Sequence, residues 1–154
     1  LRPPLIYGPN VKANFLYLMK AIQNNFPLPF KKLLKKRSYM YVENLIDAVF
    51  FILKFNHFNG KTYEISDDCL ITNEKLATII AKSLGKKVFF FYIKPEIFNY
   101  ILKIFGKKEI FKKIMKEFIV SNKDFITDTG WKPPYHYTQG IKKTCLWYKR
   151  KFRM

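Results

Sequence analysis

Leu1-Arg2-Pro3-Pro4-Leu5-Ile6-Tyr7-Gly8-Pro9 opens the chain. The apolar run and its Gly-Pro end predict a buried strand over 1–7, turned at Gly8-Pro9. Residues 11–25 read as a helix, with Phe15, Leu16, Met19, Ile22 and Phe26 at helical spacing. Pro27-Leu28-Pro29 ends it and forces extended backbone. Residues 37–42 alternate and are rich in Tyr, which predicts a strand. Glu43-Asn44 then opens a helix through Leu45, Val49, Ile52 and Leu53, which Asn56 and Gly60 close.

The second half continues the alternation. A short strand is expected over 61–65, closed by Ser66-Asp67-Asp68. Thr72 suits the N-cap of a helix through Leu76, Ile79, Ile80 and Leu84, which Gly85 stops. An apolar strand over 88–92 precedes a helix that begins at Pro95 and runs to Phe105. Gly106 separates it from a basic amphipathic helix over 107–118. Ser121 or Asn122 caps a short helix ending at Gly130, and a last helix is expected over 138–151. Strands alternating with helices predict α/β architecture. About four strands, some very short, are too few for an independent doubly wound sheet, so the parallel sheet is expected to be incomplete.

The 154 residues fit one domain, or one domain and part of another. The 29 Lys and Arg against 11 Asp and Glu give a net charge of +18. Such a field attracts polyanions, anionic membranes and phosphorylated small molecules. The basic residues fall in short, separated runs, and no block reads as a nucleic-acid arm; a specific nucleic-acid partner is not expected. Cys69 and Cys145 have neither a disulfide framework nor metal-ligand spacing, which makes a reduced cytoplasmic protein the default. No stretch reaches the roughly 18 apolar residues of a membrane span.

Six short pieces, in order, resemble one family. They are Arg2-Pro3 through Tyr7-Gly8-Pro9; Val11-Lys12-Ala13-Asn14-Phe15; Pro27-Leu28-Pro29-Phe30; Arg37-Ser38-Tyr39-Met40-Tyr41-Val42-Glu43-Asn44-Leu45; Gly60 to Ser66 with the helix from Thr72 to Gly85; and Gly130-Trp131-Lys132-Pro133-Pro134 with Gly140-Ile141. Together they are similar to the carboxy-terminal part of NAD-dependent epimerases and dehydratases, the extended short-chain dehydrogenases. The run from Arg2 to Phe15 looks nearest to the UDP-glucose and UDP-N-acetylglucosamine 4-epimerases. The resemblance implies the end of a Rossmann-type domain over 1–26. Over 27–154 it implies mainly a small mixed α/β substrate-binding domain, with some segments returning to the Rossmann-type part.

The resemblance also implies roles. Asn14 and Phe15, early in the first helix, would be substrate-binding, with the Asn14 amide at the diphosphate of a UDP-sugar; the helix start adds backbone N–H groups and a favourable dipole. The other reading of Asn14 is a capping or surface residue. Arg37 would give bidentate contact to phosphate or ribose oxygens; alternatively it ends a solvated Lys-Lys-Arg run. Leu28 and Phe30 would line a uracil pocket, or serve as plain loop packing. Pro4 and Leu5 would lie beside the nicotinamide of NAD and the sugar, although several epimerases have Asn where Leu5 stands. A second, late Arg has no clean equivalent, and Lys107, Lys108 and Lys112 read as a solvated basic helix or its substitute. His57 and His136 read as loop histidines, Asp67-Asp68 as a strand closure in preference to a metal or acid–base pair, and Trp131 and Trp147 as packing anchors.

The family's chemistry rests on a Tyr-x-x-x-Lys pair, in which Lys lowers the Tyr pKa for proton transfer. None of the ten Tyr has Lys four places on, and the six Gly form no phosphate loop. The expectation is a substrate-binding portion of a sugar-nucleotide epimerase, with 4-epimerisation of a UDP-hexose in the complete enzyme. An amino-terminal NAD-binding part would lie upstream of Leu1, and a homodimer is possible for the whole. On this reading the isolated chain does not turn over substrate and binds NAD poorly. The alternatives are an orphan module with residual UDP-sugar affinity, or the same portion of a dehydratase or reductase.

Overall fold

The computed structural model describes residues 1–54, 60–67, 69–104, 106 and 116–152. In chain order its elements are β1 (Leu5–Tyr7), α1 (Ala13–Gln23), β2 (Lys36–Tyr41), α2 (Val42–Lys54), β3 (Leu70–Thr72), α3 (Asn73–Leu84), α4 (Pro95–Ile104), α5 (Lys123–Thr129) and α6 (Tyr137–Lys151). The strands form one mixed sheet in the order β1-β2-β3. β1 runs parallel to β2, with Leu5 opposite Tyr39 and Tyr7 opposite Tyr41. β3 is antiparallel to β2, with Arg37 opposite Ile71.

The period of two along β2 divides the interior. Tyr39 and Tyr41 enter a core built from Phe15, Met19 and Ile22 of α1, Leu76 and Ile80 of α3, and Ile141 and Cys145 of α6. Met40, between them, enters a second core with Ala48, Tyr63, Ile65, Phe125 and Trp131. Helix α3 packs on both α1 and α6. Its ends follow the sequence: the Lys75 N–H donates to the Thr72 hydroxyl (3.2 Å), and Gly85 closes the helix in the left-handed region (φ 71°).

Several expectations change. The strand over 1–7 shrinks to Leu5–Tyr7 and is only partly buried: Tyr7 enters the core, but Leu1, Leu5 and Ile6 are exposed, because β1 is an edge strand that nothing described covers. The stretches expected as strands over 61–65 and 88–92 are not strands. Each is held by backbone hydrogen bonds around a single bridge, Glu64 with Arg2 and Phe90 with Leu28. The strand that completes the sheet is instead Leu70–Thr72, whose three residues are too few to show a period. Phe26 is exposed beyond the end of α1, and Val49 and Leu53 of α2 face outward although they fit its apolar spacing. The basic helix expected over 107–118 lies outside the described residues up to 115, and its expected end at Phe118 is a bridge to Arg37. His57, Asp68, Lys107, Lys108 and Lys112 also lie outside the described residues.

Candidate functional site

A cavity of about 530 Å³ opens between α1, the extended stretch after it, β2 and the start of α3. Leu5, Asn14, Phe15, Leu28, Phe30 and Arg37 all line it. Six of the seven positions picked from sequence thus converge on one space, although they span β1, α1, a loop and β2. The seventh, Pro4, is buried and is not among the lining residues.

The lining is mainly apolar with a few polar groups, the composition of a small-molecule site. Among the described residues, Arg37 is its one charged group. It is half-buried, and its charge opposes the rise that burial imposes on the Tyr39 phenol beside it. Leu28 and Phe30 are buried and give an aliphatic and an aromatic wall. Their backbone is fixed from the other side: Leu28 exchanges hydrogen bonds with Phe89 (2.8 Å) and Phe91 (3.0 Å). Asn14 is exposed at the rim, one residue into α1. No side chain caps that helix start, and Ala13 sits there at φ 51°, an uncommon angle for a residue with a Cβ. An arginine, an amide at an uncapped helix start and mainly apolar walls around one cavity suit an anion attached to a flat ring.

Sequence reasoning misses part of this wall. Tyr17, Leu18 and Ala21 come from the side of α1 that flanks its buried stripe. Tyr39, Asn73 and Leu76 come from β2 and α3. Tyr39 stands two places after Arg37 on the same strand face, so period two is a usable signal. Asn73 offers none: it is a polar residue at the first position of α3, yet it is buried.

A second constellation gathers motif residues that do not line the cavity. Asp67 is buried and its carboxylate accepts from the Tyr7 hydroxyl (2.9 Å), the Tyr41 N–H (2.9 and 3.0 Å) and Asn44 Nδ2 (2.8 Å). Asn44 also donates to the Tyr135 carbonyl and accepts from its N–H (2.8 and 2.9 Å). Burial raises the Asp67 pKa, opposed by the bonds from Asn44, Tyr41 and Tyr7. Burial and the adjacent Asp67 likewise raise Tyr7 far above the ordinary phenol. Asp67 therefore does more than close a strand; among the described residues no His, Cys, Asp and Glu group could hold a metal. His136 is exposed as expected, but it precedes α6, and its N–H donates to the Gln139 side chain (3.0 Å). Trp131 is the packing anchor expected of it, buried with its indole N–H on Asp47 (2.7 Å).

No family model matches the chain. It is 28% identical over 146 residues to the UDP-glucose 4-epimerase of Vibrio cholerae, covering 94% of this chain and 44% of that protein. This chain is similar to the carboxy-terminal part of NAD-dependent nucleotide-sugar epimerases and dehydratases. Solved structures agree on the fold. The UDP-glucuronic acid 4-epimerase of Bacillus cereus, in complex with UDP-glucuronic acid and NAD, superposes with a TM-score of 0.72 at 14% identity, over 97% of this chain and 44% of that one. The dTDP-glucose 4,6-dehydratase of Bacillus anthracis, in complex with NAD, gives 0.70 at 18% identity, over 99% and 44%. The UDP-glucose 4-epimerase of Thermotoga maritima with UDP-glucose gives 0.68 at 15%, over 98% and 45%. The chain spans less than half the length of each. The α/β class expected from sequence stands, and the sheet expected to be parallel and incomplete is a small mixed one, because β3 runs antiparallel to β2.

Proposed function

We propose that this chain is the substrate-binding portion of a nucleotide-sugar epimerase or dehydratase, and that the cavity takes the nucleotide diphosphate of a UDP-sugar. The observation that carries this is the convergence of Leu5, Asn14, Phe15, Leu28, Phe30 and Arg37 on one slot. Leu28 and Phe30 would hold the base. Arg37, Asn14 and the uncapped start of α1 would hold the diphosphate. In the complete enzyme the reaction would be 4-epimerisation of a UDP-hexose, with NAD taking a hydride from the sugar and returning it.

The described residues assigned to NAD do not come together as a dinucleotide cradle. Of the positions assigned beside NAD, Leu5 lines the cavity and Pro4 is buried away from it. The chain contains neither a Gly-rich loop nor a Tyr-x-x-x-Lys pair. The cofactor-binding part would therefore be a separate portion, and a surface suited to it is present. Leu1, Leu5 and Ile6 of the β1 edge are exposed, as are Ile46, Val49, Phe50 and Leu53 along one face of α2. An uncovered apolar sheet edge and helix stripe of this kind is what a missing neighbour in the same fold would cover. The dehydratase reading keeps the same cavity, since dehydratases and epimerases share this fold.

Calorimetric titration with UDP, UDP-glucose and UDP-N-acetylglucosamine tests the proposal. Expected is saturable binding of all three, weakened in Arg37→Ala, with no heat on NAD addition. Binding that is absent, or unchanged in Arg37→Ala, overturns the assignment of the cavity. Turnover of a UDP-sugar by the chain alone overturns the division of labour.

A further inference from the structure

Helix α4 has no buried residue. Yet Ile97, Tyr100, Ile101 and Ile104 follow the i, i+3, i+4, i+7 spacing of a single helix face. A stripe like that ordinarily turns to the core. Here the four side chains are 51%, 66%, 39% and 64% exposed. The approach to the helix is similar: Phe89 and Tyr92 are exposed as well. None of these residues belongs to the β1 and α2 surface assigned above to the cofactor-binding portion.

Charge identifies what would cover this face. Between residues 86 and 117 the chain carries nine Lys and three Glu. Lys94 precedes α4 and Lys103 lies in its last turn. Apolar and aromatic side chains flanked by lysines are the make-up of a helix that lies in a membrane interface. Its ten residues span about 15 Å, far short of a bilayer, and no helix among the described residues is long and apolar enough to cross one. The net charge of +18 supplies a long-range pull in the same direction.

We propose that α4 and the aromatic stretch before it dock this chain on an anionic membrane surface. The apolar stripe enters the headgroup boundary, and the lysines pair with lipid phosphates. The surface lies apart from the nucleotide cavity and does not depend on what that cavity binds.

The test is flotation of the 154-residue chain with vesicles of phosphatidylcholine alone, and of phosphatidylcholine mixed with phosphatidylglycerol. Binding is expected to the mixed vesicles only. The Tyr100→Ser/Ile104→Ser double variant leaves the net charge at +18 and changes only exposed side chains. It should weaken binding about tenfold or more while keeping the far-UV circular dichroism and melting of the parent. Vesicle binding that the double variant does not weaken is diffuse charge attraction, and it overturns the proposal. So does an absence of binding to either vesicle. A parent that self-associates in solution, and becomes monomeric in the double variant, makes the face a contact between copies and likewise overturns it. Should the double variant lose its fold, Tyr100→Trp decides. A blue shift of its emission on adding anionic vesicles supports insertion, and an unchanged spectrum rejects it.

Discussion

Asp67→Ala should be among the most damaging single changes in the chain, although Asp67 lies outside the lining of the cavity. It would leave the Tyr41 N–H with no acceptor, since both bonds from that group end on Asp67. A buried donor left so costs about 1–3 kcal/mol. The Tyr7 hydroxyl would fall back on the Tyr137 carbonyl (3.2 Å), and Asn44 on the Tyr135 carbonyl (2.8 Å). Each of those lost bonds removes about 0.5–1.5 kcal/mol. Relief of the buried charge offsets part of this, so the net loss is about 3 kcal/mol. In a chain of this size that lowers the melting temperature by about 6–12 °C. Asp67→Asn is the control. Its amide oxygen still accepts from Tyr41 and Asn44, and its NH2 donates to the Tyr7 oxygen, whose proton then serves Tyr137. The change should stay below about 1 kcal/mol. Thermal melting followed by far-UV circular dichroism measures both. Equal losses in the two variants, or no loss in Asp67→Ala, would refute the hub.

The same pair has a pH signature. Burial raises the Asp67 carboxyl above its ordinary range, so the folded chain holds that proton more firmly than the unfolded one. The group's contribution to stability is therefore complete below the unfolded pKa. It is lost as pH rises through the raised folded value. Between about pH 4 and pH 7 the melting temperature of the parent should fall relative to that of Asp67→Asn. A parent that gains on the Asn variant over that interval would mean that the donors around the carboxylate outweigh its burial.

Three further outcomes follow from the same geometry. Arg37→Ala should weaken UDP binding about 10- to 100-fold by titration calorimetry, and Arg37→Lys should recover little of it, because an ammonium lacks the planar fork. Gly140→Ala should cost about 1–3 kcal/mol of stability in denaturant melts. A Cβ there would stand 2.7 Å from the Tyr41 ring and 2.8 Å from the Tyr7 hydroxyl, atoms held in the middle of the core. Burial pushes the Cys145 thiol up to about 12, whereas Cys69 is only half-buried. A thiol reagent at about pH 8 should therefore modify Cys69 readily in the folded chain and reach Cys145 only on denaturation, as read by mass spectrometry.

The cavity is legible in sequence because its residues sit in short motifs of suitable chemistry, with an arginine, an amide at a helix start, and an aliphatic and an aromatic wall. The edge strand misleads because an apolar run predicts that its residues are sticky, not that anything in this chain covers them. Exposed Leu1, Leu5 and Ile6 are the physical form of that gap. The less expected lesson concerns the motifs themselves. Tyr7 and Gly8 of the first motif, Tyr41 and Asn44 of the fourth, and Gly140 of the last meet one another around Asp67 and contribute nothing to the cavity wall. Gly8 is small because a Cβ there would strike Val42 at 2.4 Å, and Gly140 because α6 lies against two tyrosine rings. Asp67 itself is invisible in sequence. A carboxylate after a short strand looks the same whether it meets water or three buried donors 23 to 60 residues away. Only the fold decides that. The parallel pairing of β1 with β2 sets Tyr7 directly opposite Tyr41, and the carboxylate takes the hydroxyl of one and the backbone N–H of the other. The shared motifs thus do two things: some of their residues build the junction that holds β1, β2, α2 and α6 together, and others, Arg37 and Asn14 among them, line the cavity.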